Sequence, residues 1–327
     1  MRALVIGGTG YVGSHLTRAL LKRGHTVRVL ARTPAKAAVL QGAGAEVREG
    51  DLGAPASLQG VAEGIDAVFH LGSVMRGSAR DFERVDVQGT ERLLAESQQS
   101  GVRRFIFAGT LAGYPPSADG SVIDEQTALD GTGALGNYAL AKARCEKLLL
   151  PANDNPECVV VRLGLVCGSG ANVFPQHVCK PLMRNWVILF GDGGVPLPLT
   201  LIENAVDALI LAATTNDIAG QTFNIVDDDA ITQRGYLELL RSCTGGLPRV
   251  LRLPLAAYYA LGMLAEMAAR ARHKEPETTR YRIRCRLARV EWNCSKAKTL
   301  LHWQPRLALR EGLATAFRAH AARDTVG

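Results

Sequence analysis

No two of the seven cysteines, at 145, 158, 167, 179, 243, 285 and 294, form a CxxC pair, and Cys and His nowhere fall at zinc-ligand spacing. An odd cysteine count in a chain of 327 residues argues against a disulfide framework, so reduced thiols in a cytoplasmic protein are expected. There is no self-similar period of about 20–50 residues, which excludes a solenoid or propeller. A signal-peptide pattern is also missing, because Met1 and Arg2 lead straight into the apolar run Ala3–Ile6. With 47% hydrophobic and 21% charged residues, the composition is that of a folded chain, not a disordered or collagenous one. The length fits one large domain or two smaller ones.

Lysine is scarce: the 38 basic residues are 8 Lys and 30 Arg, against 31 acidic ones, for a net charge of +7. The excess lies late, where Arg270–Arg289 holds eight Lys or Arg and two Glu. The rest is nearly balanced, so no nucleic acid is expected as a partner, and only the local patch invites phosphate or anionic lipid. Just upstream, Leu253–Ala265 runs for thirteen residues without a charge, too short to span a bilayer. An apolar helix beside cations can lie on a membrane surface, which makes 251–289 a candidate for peripheral membrane contact. A helix capping a substrate lobe, or a contact in a homodimer, is the blander expectation.

The first 165 residues alternate short apolar runs with helical patterns. The runs are Ala3–Ile6, Val27–Ala31, Ala45–Val47, Ala67–Leu71, Phe105–Ala108 and Val159–Leu163, several of them apolar throughout, as strands buried on both faces should be. Val12, Leu16, Ala19 and Leu20 share one face of the first helix, and Val85, Leu93 and Leu94 mark another near 81–100. Such alternation predicts an α/β fold, a doubly wound parallel sheet with helices on both faces. Glycine and proline crowd 165–200, predicting loops and short elements. A helix returns at 203–215, a strand at Gln221–Val226, and the remainder reads mostly helical. We therefore expect a dinucleotide-binding unit from 1–164 and 201–226, and a smaller, mostly helical substrate lobe from 165–200 and 227–327.

The turn after the first strand reads Gly7-Gly8-Thr9-Gly10-Tyr11-Val12-Gly13. Gly7 permits the tight turn, Gly10 lets the backbone approach a diphosphate, and Gly13 allows helix against strand, while the following helix aims its first N–H groups at the anion. The second strand ends in Arg32, with Lys36 four residues on, where NAD-preferring sites usually place an acid. An Arg there can grip a 2′-phosphate, so NADP(H) is expected over NAD(H). Asp51-Leu52 follows the third strand, where a carboxylate either meets the adenine amino group or closes a turn.

Tyr138 and Lys142 stand four residues apart, on one face of a helix after the fifth strand. An ammonium beside a phenol favours the phenolate, so Lys142 is expected to lower the Tyr138 pKa toward working pH. Thr110, at the end of the fifth strand, is a candidate hydrogen-bond donor to a substrate oxygen, though Thr also suits a strand end.

Taken in order, Gly7–Gly13, Gly50-Asp51-Leu52, Val68–Gly72, Val85–Thr90, Gly101–Thr110, Tyr138–Lys142, Arg162–Gly168, Phe223-Asn224-Ile225 and Leu301–Pro305 resemble the extended short-chain dehydrogenase/reductases, the epimerase/dehydratase and 3β-hydroxysteroid-dehydrogenase-like group. The resemblance implies a Rossmann-type domain with a small C-terminal lobe. It makes Tyr138 the general acid/base, Lys142 the partner of the nicotinamide ribose and Thr110 the family's Ser/Thr. It also implies cofactor contacts at Thr9, Tyr11, Val12, Leu71, Gly72, Ser73 and Leu165. Two positions depart from the pattern: Asp86 stands where Asn is frequent, and Gly72 where Ala is usual.

The implied reaction is hydride transfer to or from a carbonyl or secondary alcohol, with Tyr138 moving the proton. Leu197–Asn204 is mostly apolar where sugar-nucleotide members carry an Arg-Asp-aromatic run, which favours an apolar small molecule. Val74, Met75, Tyr114, Val166, Val173, Phe174 and His177 are candidate lining residues. The alternatives are a sugar-nucleotide epimerase/dehydratase with tightly bound NAD, and a non-catalytic NADP(H)-binding sensor or assembly factor, a class that usually lacks the Tyr/Lys pair.

Overall fold

The computed structural model describes residues 1–327 except 151–154, 184–185, 247–248, 273–275, 277 and 325–327. Its centre is one parallel sheet of seven strands: β1 (Arg2–Ile6), β2 (Thr26–Ala31), β3 (Glu46–Glu49), β4 (Ala67–His70), β5 (Arg104–Thr110), β6 (Glu157–Leu163) and β7 (Thr222–Ile225). They lie in the order β7-β6-β5-β4-β1-β2-β3, with every pairing parallel. The order reverses beside β1, and in such sheets ligands settle at the carboxyl ends of strands near that reversal. Every apolar run read as a strand is one.

The strands are apolar on both faces because helices cover both. Leu4, Val68, Phe105 and Val160 face a core shared with α2 (Gln88–Gln99) and α3 (Asn137–Leu149). Val5, Phe69, Ile106 and Val161 face the opposite core, shared with α1 (Tyr11–Lys22) and α4 (Ile202–Thr214). Residues two apart thus share a face and neighbours oppose, which is the strand period expressed twice. Residues 294–303 also join this second core. Trp303 is fully buried there and its indole N–H donates to the Asn204 carbonyl at 3.0 Å.

A third apolar core lies beyond β6, where Val173, Val187, Leu189 and Leu199 meet Tyr236 and Leu240 of α5 (Gln233–Thr244). The Gly/Pro-rich stretch holds more strand than loops alone: Lys180–Met183, Trp186–Phe190 and Arg249–Leu253 form a three-stranded sheet. α6 (Leu255–Ala271) stacks Tyr258 on Phe190 of that sheet and packs against α7 (Arg280–Leu287), and the last described helix is α8 (Leu309–Asp324). Among the described residues, no helix is long and apolar enough to cross a membrane.

Candidate active site

A cleft of about 1200 Å³ opens over the carboxyl ends of the sheet strands. At one end is the β1–α1 turn. Gly7 has φ +80°, and a Cβ there would come within 2.9 Å of the Gly72 nitrogen. A Cβ on Gly13 would sit 2.1 Å from the Gly7 carbonyl oxygen, so the helix can start this close to the strand only without a side chain. At Gly10 the pressure is milder, 3.2 Å from the same oxygen, and its N–H closes the turn on Gly7 at 2.9 Å. No side chain caps α1, which leaves its first N–H groups for an anion. Gly7, Thr9, Gly10, Tyr11, Val12 and Gly13 all line the cleft.

So do Arg32, Asp51, Leu52, Leu71, Gly72, Ser73 and Leu165. Arg32 is exposed, and among the described residues it has no ion-pair partner. Lys36 sits on the following turn, Pro34–Ala37, and does not line the cleft, against the expectation for it. One carboxylate oxygen of Asp51 accepts the Gly53 N–H at 2.9 Å, the turn role that its local sequence allowed. These residues fit a dinucleotide: a side-chain-free cradle, open helix N–H groups and a free guanidinium beyond β2.

At the other end stand Thr110, Tyr138 and Lys142, all lining the cleft. The helical period of α3 puts Lys142 one turn beyond Tyr138. Lys142 is 3% exposed, donates to the Ala108 carbonyl at 3.0 Å and lies 4.5 Å over the Phe107 ring. Burial pulls its pKa below the ordinary lysine value, opposed by Cys145, Asp86 and Glu146. The Tyr138 hydroxyl pairs with Thr110, whose Oγ1 in turn accepts the Ala112 N–H at 3.1 Å. This corrects the expected tuning. Burial raises the Tyr138 pKa, the Thr110 bond lowers it in part, and the Asp86 charge raises it further. Lys142 does not lower it in the free protein, because its ammonium is turned onto the strand and balanced by carboxylates.

Three supports escaped sequence reasoning. Asp86 is buried, accepts the Val74 N–H at 3.0 Å and the Ser73 hydroxyl, and so fastens the loop that lines the cleft after β4. Its carboxyl pKa is raised by burial, against the pull of Ser73, Val74 and Lys142. The departure from Asn therefore keeps a structural role. Behind α3, Arg162 of β6 clasps Glu146 at 2.9 and 2.7 Å and donates to the Tyr114 hydroxyl at 2.6 Å, which itself donates to Asn224 at 2.9 Å. Arg162 inside the otherwise apolar run Val159–Leu163 was the visible signal; Glu146, one of four charged residues on α3, gave none. The third support is His70, wedged between Phe105 and Phe107 with Nε2 2.9 Å from the Thr90 hydroxyl. Burial pushes its pKa down to about 3, so it stays neutral.

Of the candidate substrate-lining residues, Val74, Met75, Tyr114, Val166 and His177 line the cleft. Val173 and Phe174 do not: they pack with the third core, where the Val173 carbonyl accepts the Tyr236 hydroxyl at 3.1 Å. The wall also includes Arg76, Leu135, Trp292 and three residues of α7, Arg282, Cys285 and Arg286. The basic run beyond residue 270 had signalled these arginines, but not where they would go.

The chain matches the NAD dependent epimerase/dehydratase family over residues 3–226. It is similar to the 4-hydroxy-2-methyl-3-oxo-4-farnesyl-3,4-dihydroquinoline-1-oxide ketoreductase of Stigmatella aurantiaca, 30% identical over 96% of this chain and 95% of that one. It is similar also to the 2-alkyl-3-oxoalkanoate reductase of Stenotrophomonas maltophilia, 29% identical over 96% of this chain and 97% of that one. Its fold is shared with UDP-glucose 4-epimerase of Thermotoga maritima, with a TM-score of 0.76, 22% identity and full coverage of both chains.

Proposed function

Because this chain belongs to the NAD dependent epimerase/dehydratase family and is an NAD(P)-dependent enzyme of the extended short-chain dehydrogenase/reductase type, we propose that it is an NADP(H)-dependent oxidoreductase acting on a carbonyl or secondary alcohol of an apolar small molecule, with Tyr138 as the general acid/base. The observation that carries this reading is the meeting, in one cleft, of the glycine turn at 7–13 with Thr110, Tyr138 and Lys142.

The nicotinamide, when bound, supplies the hydride chemistry. Everything else falls to the chain. The glycine turn and the start of α1 hold the diphosphate, and Arg32 takes the 2′-phosphate by a charge-assisted contact. Thr110 accepts from the Ala112 N–H, which leaves its own proton for the Tyr138 oxygen. The phenol proton is then free to point at a substrate oxygen. A phenol whose pKa burial holds high stays protonated, which suits a general acid as charge develops on that oxygen. Lys142, anchored to β5, is the residue we assign to the nicotinamide ribose.

The names of the two relatives, one for a farnesyl-bearing 3-oxo compound and one for 2-alkyl-3-oxoalkanoates, support a ketone carried on an apolar body. The apolar lining by Val74, Met75, Leu135 and Val166 agrees with that substrate class. Seven free thiols support a cytoplasmic place of work.

The test is to purify the protein, analyse any bound nucleotide, and screen lipophilic ketones and 3-oxo acids for oxidation of NADPH and NADH. Turnover of an apolar ketone with exchangeable NADPH is the expected result. Tightly held NAD together with turnover of a nucleotide sugar would replace this reading with the epimerase one.

A further inference from the structure

The helix α6 is inside out. Gly262 is its only buried residue, while Leu261, Met263, Leu264 and Met267 are 48, 44, 56 and 58% exposed. Ala256, Ala260, Met263, Leu264 and Met267 recur at helical spacing, so the solvent side of α6 is one continuous apolar face from Ala256 to Met267, with no charge on it before Arg270. A helix packed only for its own fold shows the reverse arrangement, and an apolar face of this extent marks a contact surface.

The opposite face has its partners. Gly262 lies so close to α7 that a Cβ would come within 2.7 Å of Ile283, and Glu266 holds the backbone N–H and guanidinium of Arg280 at 2.7 and 3.0 Å. Tyr258 stacks on Phe190 with centroids 3.7 Å apart and accepts from Arg286 at 3.3 Å. The apolar side is therefore the outer one.

Cations flank α6 along the chain. Arg252 on the strand leading into it, and Arg270 and Arg272 at its far end, are exposed and have no ion-pair partner among the described residues, while Arg249 lies over the Trp186 ring. Glu266 is the only acid between 249 and 272, and it is taken by Arg280. Residues 273–275 and 277 of the basic stretch lie outside the described residues.

We propose that the outer face of α6 docks in the plane of an anionic lipid membrane, with Met263, Leu264 and Met267 among the acyl chains and the flanking arginines on the headgroups. An uncharged row of Leu and Met between unpaired cations is the pattern that both halves of such an interface need. A second copy fits less well, since a two-fold contact across this face would bring the two sets of arginines together. The docking has a consequence for the cleft. A single helix, α7, separates the apolar face from it, giving Ile283 to α6 and Arg282, Cys285 and Arg286 to the cleft. A substrate dissolved in the membrane would then enter next to its site. The proposal stands on α6 and its flanks, and does not depend on the reaction assigned above.

The test uses the full chain and sedimentation with vesicles of phosphatidylcholine alone or mixed with phosphatidylglycerol. Binding to the anionic vesicles at least about tenfold tighter than to the neutral ones, weakening as salt rises, is expected. A Met263→Ser/Leu264→Ser/Met267→Ser variant, with an unchanged circular-dichroism spectrum, should lose at least about tenfold in affinity. Arg270→Glu/Arg272→Glu should remove the preference for anionic lipid and provides a second reading should the triple variant fold poorly. No sedimentation with anionic vesicles, or binding that neither variant weakens, overturns the proposal. So does a dimer in solution that the serine variant splits, because the face would then be a subunit contact.

Discussion

The Lys142 ammonium donates to the carbonyl of Ala108 at 3.0 Å, tying the middle of α3 to the end of β5. One turn earlier on the same helix, the Tyr138 hydroxyl meets Thr110, two residues further along the same strand. Helix and strand are thus joined by two polar contacts at the floor of the cleft, one charged and one neutral. The sequence spacing brought the phenol and the amine to one helix face. The strand end then decided which partner each would take.

Arg32 is assigned to a 2′-phosphate, and the assignment can be reversed. Arg32→Glu should raise the KM for NADPH by about 10–100-fold, since a charge-assisted hydrogen bond is worth about 1.5–3 kcal/mol, and leave that for NADH within a few-fold. Steady-state kinetics with both nucleotides measure it. Equal losses for the two would remove the role of Arg32 in discrimination.

Gly13 is a packing requirement as much as a binding one. In Gly13→Ala the added methyl would sit 2.1 Å from the Gly7 oxygen, so helix and turn must part. We expect a loss of about 1–3 kcal/mol in urea unfolding and nucleotide affinity at least tenfold weaker by calorimetry. Wild-type stability and affinity would show that the turn yields more freely than its packing suggests.

Arg162 and Glu146 are 6 and 2% exposed, and each neutralises the other behind the Tyr138 helix. Arg162→Met strands a buried carboxylate and should cost about 3–5 kcal/mol in chemical denaturation. Adding Glu146→Leu to that variant should recover part of the loss. Additive losses would mean the two charges are not coupled in this way.

Asp227 gives the fold a pH dependence. Burial, with the Asp228 and Asp229 charges, raises its carboxyl to about 6, although Leu201 N–H and Asn204 both donate to it at 3.0 Å. Unfolded, the same carboxyl titrates near 4. Between those values the native state holds more protons than the unfolded one, so stability from this group falls as pH rises and the cost is complete above about pH 6. Relative to Asp227→Asn, the wild-type protein should lose on the order of 2 kcal/mol between pH 4 and pH 7.5. Parallel stability curves for the two proteins would contradict this.

Local signals carried the parts of this molecule that depend on local sequence. Runs such as Val159–Leu163 announce strands buried on two faces, and the spacing of Gly7, Gly10 and Gly13 announces a close approach that the packing around Gly13 bears out. The partners of Lys142, Asp86 and Glu146 were illegible, because each is settled by contacts between elements far apart in the chain: Ala108 lies 34 residues from Lys142, and Arg162 16 from Glu146. Val173 and Phe174 were misplaced for the same reason, since an apolar residue in a loop fits a cleft wall or a core equally well by sequence. The basic run near residue 280 was visible as charge, but only the seating of α7 against α6 turns Arg282 and Arg286 toward the cleft.

The most direct measurement is turnover and cofactor affinity of Tyr138→Phe, using the best ketone found with NADPH. The ring stays and only the proton-bearing oxygen goes. The expected result is a fall in kcat/KM of about 10²–10⁴-fold, the range for losing a general acid, with NADPH affinity within twofold of wild type. A variant that keeps wild-type turnover would contradict the assignment of the proton to Tyr138.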